Sequence, residues 1–275
     1  MRSMRQLRVG IVGFGNVGQQ VARRLAAGAI PQMVLVAICG RDLAKTRESV
    51  ANMAPNIAVM GLEDLIETSE VIVECAIAPA LPEIATAALS RGRKLVCISA
   101  GGLVDIEGLD ALAQQYNGHL RIANGALPAL DILRATAEAD IISVHLTSIV
   151  RPESLFGEEY ALKKGLDFQA HYPDQRVLVF QGTAREAAAN FPRHMNIAIS
   201  LALAGVGLDR TTLELWADPQ VPGARNTLEI RSDVAEVTAT IQNIPSKINK
   251  KTSAIVVPSI LAALRGIVCP VVAGG

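Results

Sequence analysis

Excess charge of either sign, aromatic residues and uninterrupted apolar runs are all scarce in this chain of 275 residues. Lysine plus arginine equals aspartate plus glutamate, at 26 each, and aromatic residues make up only 3%. Since a nucleic-acid surface needs a basic field or stacking side chains, we expect no nucleic-acid partner. Residues 254–275 form the most apolar segment, but Pro258, Arg265 and Pro270 interrupt it, so we expect no membrane partner. No apolar leader precedes the first predicted strand, which favours a cytoplasmic protein.

Cysteine is also rare, and no pair has the C-x-x-C spacing of metal or redox sites. We therefore predict that Cys39, Cys75, Cys97 and Cys269 are reduced structural thiols. Histidine, cysteine and acidic residues form no cluster with metal-ligand spacing, so we expect no metal. A G-x-S-x-G nucleophile motif is missing too, and hydrolase chemistry has no support.

A glycine turn near the amino terminus is the strongest positive signal. The apolar run Leu7–Val12 predicts a strand buried on both faces, and Gly13, Gly15 and Gly18 follow it as G-x-G-x-x-G. The first glycine permits a tight turn, the second leaves room for a pyrophosphate, and the third lets helix and strand pack closely. Strand, glycines and helix in this order predict a dinucleotide site.

The helix after these glycines is predicted to begin at Asn16 and to end near Gly28. Asn16 is the predicted N-cap, since asparagine side chains readily accept from the first free amides of a helix. We expect Asn16 and Val17 to contribute to the cofactor site, because helix N-termini bind phosphates.

Cofactor preference is predicted from the residues after the second strand, Met33–Cys39. Arg41 follows this strand, where an arginine accommodates the 2′-phosphate of NADP(H), so NADP(H) is favoured. Asp42 is next and could bind the ribose hydroxyls instead, so NAD(H) stays open. The alternative reading of Arg41 is a solvated loop charge.

Alternating strands and helices continue to residue 124 and predict an α/β fold with an N-terminal Rossmann-type, doubly wound parallel sheet. Ligands bind at the carboxyl ends of such strands. We therefore assign five strand-end residues to the cofactor site: Cys75, Ala76, Ile77, Ser99 and Ala100.

The pattern changes after residue 141, where ISVHLTSIV alternates as in a sheet with one covered face. We predict a C-terminal α+β domain with a largely antiparallel sheet. We expect residues 1–124 to form the dinucleotide-binding domain, with a C-terminal helix within 250–275 packing back on it, and residues 125–249 to form a second domain, to which the resemblance given below assigns substrate binding and dimerisation.

Several stretches together resemble the L-aspartate dehydrogenase family, and they run through nearly the whole chain in the same order. They are VGIVGFGNVG (9–18), VECA (73–76), NGALPALD (124–131), GTAREAAANFPRHMNIAISLALAGVGLDRT (182–211), ADP (217–219) and NKKTSAI (249–255). The resemblance implies a two-domain homodimer that transfers hydride between Cα of an amino acid and a nicotinamide. The imine so formed is then hydrolysed to a keto acid and ammonia.

Site residues follow from the resemblance by position. Ala76 and Ala126 would line the cofactor, and Asn196, in the F-P-x-x-x-N run, would lie at substrate and cofactor. Lys251, Thr252 and Ser253 match the family's N-P-K-T-S and would lie near the active-site wall, Thr252 and Ser253 as substrate residues. Asn196 and Lys251 would be among the catalytic residues.

One departure from the family's pattern bears on catalysis. The family has a histidine in an N-x-H-x-I-like stretch, whereas residues 226–230 place Leu228 there, and leucine cannot transfer a proton. His194 stands where the family usually has asparagine, and Lys250 where it has proline. Three interpretations stay open: His194 takes over acid–base catalysis, the substrate is a different amine or cyclic imine, or the protein binds NADP(H) without turnover.

Overall fold

The computed structural model describes residues 5–54, 56–104, 106–191, 195–249 and 252–271. The chain divides into two compact units. The first comprises the residues up to Ala123 together with Val257–Val271, and the second comprises Asn124–Val256. Each unit has its own sheet.

The first unit is built on a six-stranded parallel sheet in the order β3-β2-β1-β4-β5-β6. Its strands are β1 (Leu7–Val12), β2 (Met33–Cys39), β3 (Ala58–Val59), β4 (Val71–Glu74), β5 (Lys94–Cys97) and β6 (His119–Ile122). The predicted doubly wound sheet is confirmed, and its strand order reverses between β1 and β4. In such sheets the crevice at this reversal is where ligands bind.

Helices alternate with these strands and bury both faces of the sheet. They are α1 (Asn16–Ala26), α2 (Leu43–Ala51), α3 (Leu62–Thr68), α4 (Leu81–Leu89) and α5 (Leu109–Tyr116). Every residue of β4 is buried, which explains its nearly continuous apolar sequence. Short 3-10 turns at Ala78–Ala80 and Ala100–Leu103 follow β4 and β5.

The second unit is built on a five-stranded sheet in the order β11-β10-β7-β9-β8. Its strands are β7 (Ile141–Val150), β8 (Val177–Thr183), β9 (Thr211–Ala217), β10 (Arg225–Ser232) and β11 (Glu236–Gln242). Only the β7–β9 pair is parallel among the four described strand pairs, so the expectation of a largely antiparallel sheet is confirmed.

Helices α8 (Ala184–Asn190) and α9 (Asn196–Ala204) pack against one face of this second sheet. Helix α6 (Leu130–Thr136) packs against α9, and α7 (Glu159–Lys163) contacts Phe180 of β8 through the Tyr160 ring. Leu146, Leu213 and Leu228 lie in one cross-strand row and are fully buried on the covered face. The opposite side, here called the open sheet face, carries His145, Thr147, Thr212, Glu214, Trp216, Arg225, Thr227, Glu229, Arg231, Thr238 and Thr240.

The last helix, α10 (Val256–Val268), contributes its buried residues to the first unit. Ile260 and Leu264 are fully buried, and the Arg265 guanidinium donates to the carbonyl of Ala29. The C-terminal helix predicted within 250–275 is present, but residues 252–255 are not part of it. Their backbone groups pair across a loop instead, since Ser246 N donates to Thr252 O and Ala254 N donates to Ile244 O.

Within the described part of the chain, no helix combines the length and apolar character needed to cross a membrane.

Candidate functional site

In the turn after β1, two of the three glycines lie too close to neighbouring backbone to carry a side chain. Gly13 has a φ of +95°, and a Cβ there would come within 2.5 Å of the amide nitrogen of Ala76. A Cβ on Gly18 would collide with the carbonyl oxygen of Gly13. A Cβ on Gly15, by contrast, would meet no protein atom within 4 Å. Gly13 and Gly18 are therefore required by packing, and Gly15 leaves open space at the start of α1.

Helix α1 presents free amides to that space. Its N-cap is Gly15, and Gln19 N donates to Gly15 O, so the amides of residues 16–18 precede the first intrahelical donor. The predicted cap by Asn16 is wrong, because its Oδ1 accepts from Gln20 Nε2 at 2.9 Å within the helix. Asn16 Nδ2 is buried without a partner among the described residues. With no acidic residue in its first turn, this helix end suits an anion.

The carboxyl ends of β4 and β5 are joined by a buried carboxylate. Glu74 is 0% exposed; its Oε1 accepts from Ala76 N at 2.7 Å, and its Oε2 accepts from Ile98 N and Ser99 N at 3.1 Å each. The Ser99 hydroxyl donates to Ala76 O at 3.0 Å. Burial raises the pKa of Glu74, although hydrogen bonds from Ser99, Ile98 and Ala76 oppose that rise.

Sequence reasoning did not select Glu74 as a site residue. The available signal was a carboxylate within the otherwise apolar run 71–77, which lacks any basic neighbour in sequence. The predicted residues around it have mixed exposure: Cys75, Ser99 and Ala100 are buried, Ala76 is half-buried, and Ile77 is exposed.

Cys75 and Cys97, at the carboxyl ends of β4 and β5, are buried residues of the core. All four thiols of the chain are free. Burial raises the pKa of the Cys75 and Cys97 thiols, and the Glu74 charge adds to the effect. A neutral, buried thiol is a poor nucleophile, so neither cysteine is suited to covalent catalysis.

Arg41 and Asp42 follow β2, and their side chains differ in hydrogen bonding. Asp42 is the N-cap of α2, where its Oδ1 accepts from Ala44 N at 3.0 Å and Lys45 N at 3.1 Å. Arg41 is exposed, and no described residue holds its guanidinium in a hydrogen bond or ion pair. Of the two, Arg41 is the side chain free to meet a ligand.

In the second unit, a buried hydrogen-bond chain fixes the segment that contains Ala126. Asn226 is 1% exposed; its Oδ1 accepts from Ser148 Oγ at 2.9 Å, and its Nδ2 donates to Ala126 O at 3.0 Å. Leu228 lies two residues further along β10, fully buried beside Leu146 and Ala239. This position therefore supplies apolar packing here.

The other predicted residues of the second unit fall on α9 and on the loop before α10. Asn196 is the first residue of α9 and is half-buried, and Thr252 and Ser253 are half-buried in the loop. Asn243, which sequence reasoning missed, is buried with neither side-chain polar atom paired in the described structure. His194, Lys250 and Lys251 lie outside the described residues.

A cavity of about 330 Å³ lies at the amino-terminal edge of the first sheet and is lined in part by Gln6, Leu25, Met33 and Ile57. It is therefore at the sheet edge opposite the glycine turn. No group of three or more histidine, cysteine or acidic side chains among the described ranges is placed to hold a metal ion.

Two family models match this chain. The model described as "Aspartate dehydrogenase, C-terminal" matches residues 131–267, and that described as "Homoserine dehydrogenase, NAD binding domain" matches residues 13–122. The chain is 36% identical to L-aspartate dehydrogenase 3 of Bordetella bronchiseptica, with 100% of both chains covered. It is 32% identical to the L-aspartate dehydrogenase of Methanocella arvoryzae, with 97% of this chain and 99% of that one covered.

Solved structures show the same fold. The aspartate dehydrogenase of Thermotoga maritima superposes with a TM-score of 0.75 at 22% identity, over 98% of this chain and 100% of that one. A hyperthermophilic archaeal homoserine dehydrogenase, solved in complex with NADPH, superposes with a TM-score of 0.61 at 14% identity, over 94% and 96%.

Proposed function

The chain belongs to the L-aspartate dehydrogenase family, and from that premise we propose that it is an NAD(P)-dependent oxidoreductase acting on the C–N bond of an amino acid. The observation that carries the proposal is the full-length match at 36% identity, combined with a glycine turn open at Gly15. An amino acid is the proposed substrate, and an imine is the product of its oxidation.

The residues present suit a nicotinamide dinucleotide. The space beside Gly15, the free amides of α1 and the unpaired Asn16 Nδ2 would hold the pyrophosphate. When bound, the nicotinamide supplies the acceptor or donor of hydride. The proposed cofactor residues are Gly13, Gly15, Asn16, Val17, Gly18, Arg41, Cys75, Ala76, Ile77, Ser99, Ala100, Ala126 and Asn196.

NADP(H) is the proposed preferred cofactor. Asp42 uses one carboxylate oxygen to cap α2, whereas Arg41 is exposed beside it and has no described partner. An arginine at this strand end suits a 2′-phosphate. NAD(H) remains the alternative, since the second oxygen of Asp42 accepts no described backbone amide.

On the substrate side, we assign binding to Thr252 and Ser253, and proton transfer or carboxylate binding to His194, Asn196 and Lys251. Leu228 is fully buried and has no titratable group, so it cannot activate water. Hydrolysis of a linear imine then needs His194 or another base. A different amine or cyclic imine as substrate would avoid that step, and an NADP(H)-binding protein without turnover is the second candidate that Leu228 favours.

The deciding experiment measures oxidation of NADPH and NADH by the purified protein with oxaloacetate and ammonium. Turnover supports the proposal, and His194→Ala should then lower kcat by at least about a hundredfold if the imidazole is the base. No turnover with these or with a panel of keto acids and cyclic imines, while cofactor binding stays intact, would favour the silent protein.

A homodimer through the open sheet face is also proposed. This face carries a cross-strand row of β-branched side chains, Thr147, Thr227 and Thr240, beside charged residues such as Glu214 and Glu229, and sheets pack well face to face. The Thr227 and Thr240 hydroxyls are 2.9 Å apart, and His145 Nδ1 is 2.9 Å from Thr212 Oγ1. Polar groups paired within the sheet are less costly to bury against a second copy.

A further inference from the structure

Glu74 is a buried charge without a cation. It ends β4, its side chain is fully buried, and three backbone N–H groups donate to its two oxygens. No lysine or arginine pairs with it in the part of the chain that the structure describes. Several amides directed at one group are the arrangement that holds an anion in proteins. Burial raises the pKa of Glu74, and the three amides oppose that rise, so the ionised carboxylate at this point depends on them.

The field of this charge reaches neighbouring groups. The negative charge of Glu74 adds to the rise in pKa of both the Cys75 and the Cys97 thiol. Because the site is closed to water, screening is weak and a unit charge acts over several ångströms. The same negative charge that disfavours the two thiolates would attract a positively charged ligand group above the carboxyl ends of β4 and β5.

Strand order indicates which part of the cofactor would lie there. The turn after β1 would hold the pyrophosphate, and the end of β2, with Arg41, would face the adenosine half. The other half of the dinucleotide must then extend over β4 and β5, the strands that Glu74 joins. That half ends in the nicotinamide ring, which is positively charged when oxidised and neutral when reduced.

We infer that the Glu74 carboxylate sets the relative affinity of this protein for oxidised and reduced nicotinamide cofactor, by favouring the charged ring. The inference rests on the proposed nicotinamide site. Glu74 acts through its charge and also positions the backbone of residues 76 and 98–99. A purely structural role would change the affinity for both cofactor forms alike, whereas the charge changes their ratio.

The test measures dissociation constants of NADP⁺ and NADPH, or of NAD⁺ and NADH if those bind more tightly, for the unsubstituted protein and Glu74→Gln. We expect the substitution to weaken binding of the oxidised form by about tenfold, as expected for loss of one unit charge, and to leave the reduced form within about twofold. The matching ADP-ribose, which lacks the nicotinamide ring, should bind both proteins equally.

Ser99→Ala is a graded test of the same charge. It removes the hydroxyl bond to Ala76 O and also the Ser99 side-chain hydrogen bond that opposes the rise in the Glu74 pKa, so it should shift the oxidised-to-reduced ratio in the same direction as Glu74→Gln and by a smaller factor. Should Glu74→Gln not fold, Glu74→Asp keeps the carboxylate, and its oxidised-to-reduced ratio should stay within about threefold of the original.

The inference is overturned if Glu74→Gln shifts both constants equally or neither, or if Glu74→Asp shifts the ratio tenfold. If the unsubstituted protein binds no nicotinamide cofactor, the proposed function fails together with this inference. If both forms bind and only the ratio is unmoved, the proposed function stands.

Discussion

Gly13 and Gly15 stand two residues apart in one turn, yet a methyl group at each would meet different surroundings. At Gly13 it would meet the backbone of residues 75–76 and force a side chain into a positive φ; at Gly15 it would enter open space. Gly13 therefore serves the fold, and Gly15 is free to serve a ligand.

Gly15→Ala should weaken NADP(H) binding by at least about tenfold while the melting temperature shifts by no more than about 2 °C, because the methyl group clashes only with a bound pyrophosphate. Gly61→Ala is the control, since Gly61 is also a helix N-cap with open space at its Cβ position. It should change neither quantity. Cofactor titration and thermal unfolding measure both, and unchanged binding in Gly15→Ala would remove this turn from the cofactor site.

Arg41→Ala should raise the Kd of NADPH by about ten- to hundredfold and leave the Kd of NADH within about twofold, because only NADPH carries the 2′-phosphate. Arg47→Ala, at an exposed arginine on the adjacent α2, controls for general loss of positive charge. Equal losses for both cofactors, or equal effects of both substitutions, would mean that Arg41 does not contact the 2′-phosphate.

Individual residues show where sequence-based prediction stopped. The glycine spacing predicted the turn after β1 because Gly13 adopts a positive φ and Gly18 lies against the Gly13 carbonyl, both within one short segment. Glu74 was missed because its role depends on amides of residues 98–99, which are distant in sequence and meet it only when β4 and β5 pair. Asn16 was misassigned because its Oδ1 could accept from a backbone amide of the first turn or from Gln20 Nε2, and the bond from Gln20 is the one formed.

At the scale of elements, the start of the first sheet depends on an acidic residue between α3 and β4. Glu70 Oε2 accepts from Arg8 N at 3.1 Å, and Oε1 pairs with the Arg5 guanidinium at 2.6 Å. The backbone hydrogen bond from Arg8, with the charges of Arg5 and Arg8, holds the pKa of Glu70 below its usual value.

Because the folded-state pKa of Glu70 lies below the unfolded value, its contribution to stability is present above the unfolded pKa and is lost as the pH falls through the folded pKa. Glu70→Gln should therefore flatten the acid limb of the stability curve. Urea unfolding at a series of acidic pH values measures this, with Glu48→Gln at an exposed position of α2 as control. An acid limb as steep as that of the original protein would show that Glu70 contributes no pH dependence.

Elements with nearly continuous apolar runs were predicted well, and short ones set by tertiary contacts were not. The bounds of β1 and β2 agree with the predicted strands Leu7–Val12 and Met33–Cys39. Helix α6 was missed because it starts after Ala129, a non-glycine residue with a φ of +52°, which local propensity disfavours. Its Leu133 packs next to Gly205, a contact that sequence patterns do not reveal.

At the scale of the whole molecule, the proposed dimer forms through the open sheet face of the second unit. Thr227→Arg should convert the protein from dimer to monomer, because it places a long charged side chain in the middle of the open sheet face. Light scattering after size-exclusion chromatography measures the mass directly. Gln115→Arg, at an exposed residue of α5 in the first unit, should leave the dimer intact. A monomeric parent protein, or a dimeric Thr227→Arg, contradicts the proposed interface.

The placement of α10 constrains the order in which the protein is made and folded. Ile260 and Leu264 complete the core of the first unit, yet all of the second unit is encoded before them. During translation, the first unit is begun first, but it lacks helix α10 until residue 268 has been synthesised. The apolar surface that α10 covers therefore stays exposed on the nascent chain while the second unit is synthesised. Helix α10 is the last element of the first unit to be made.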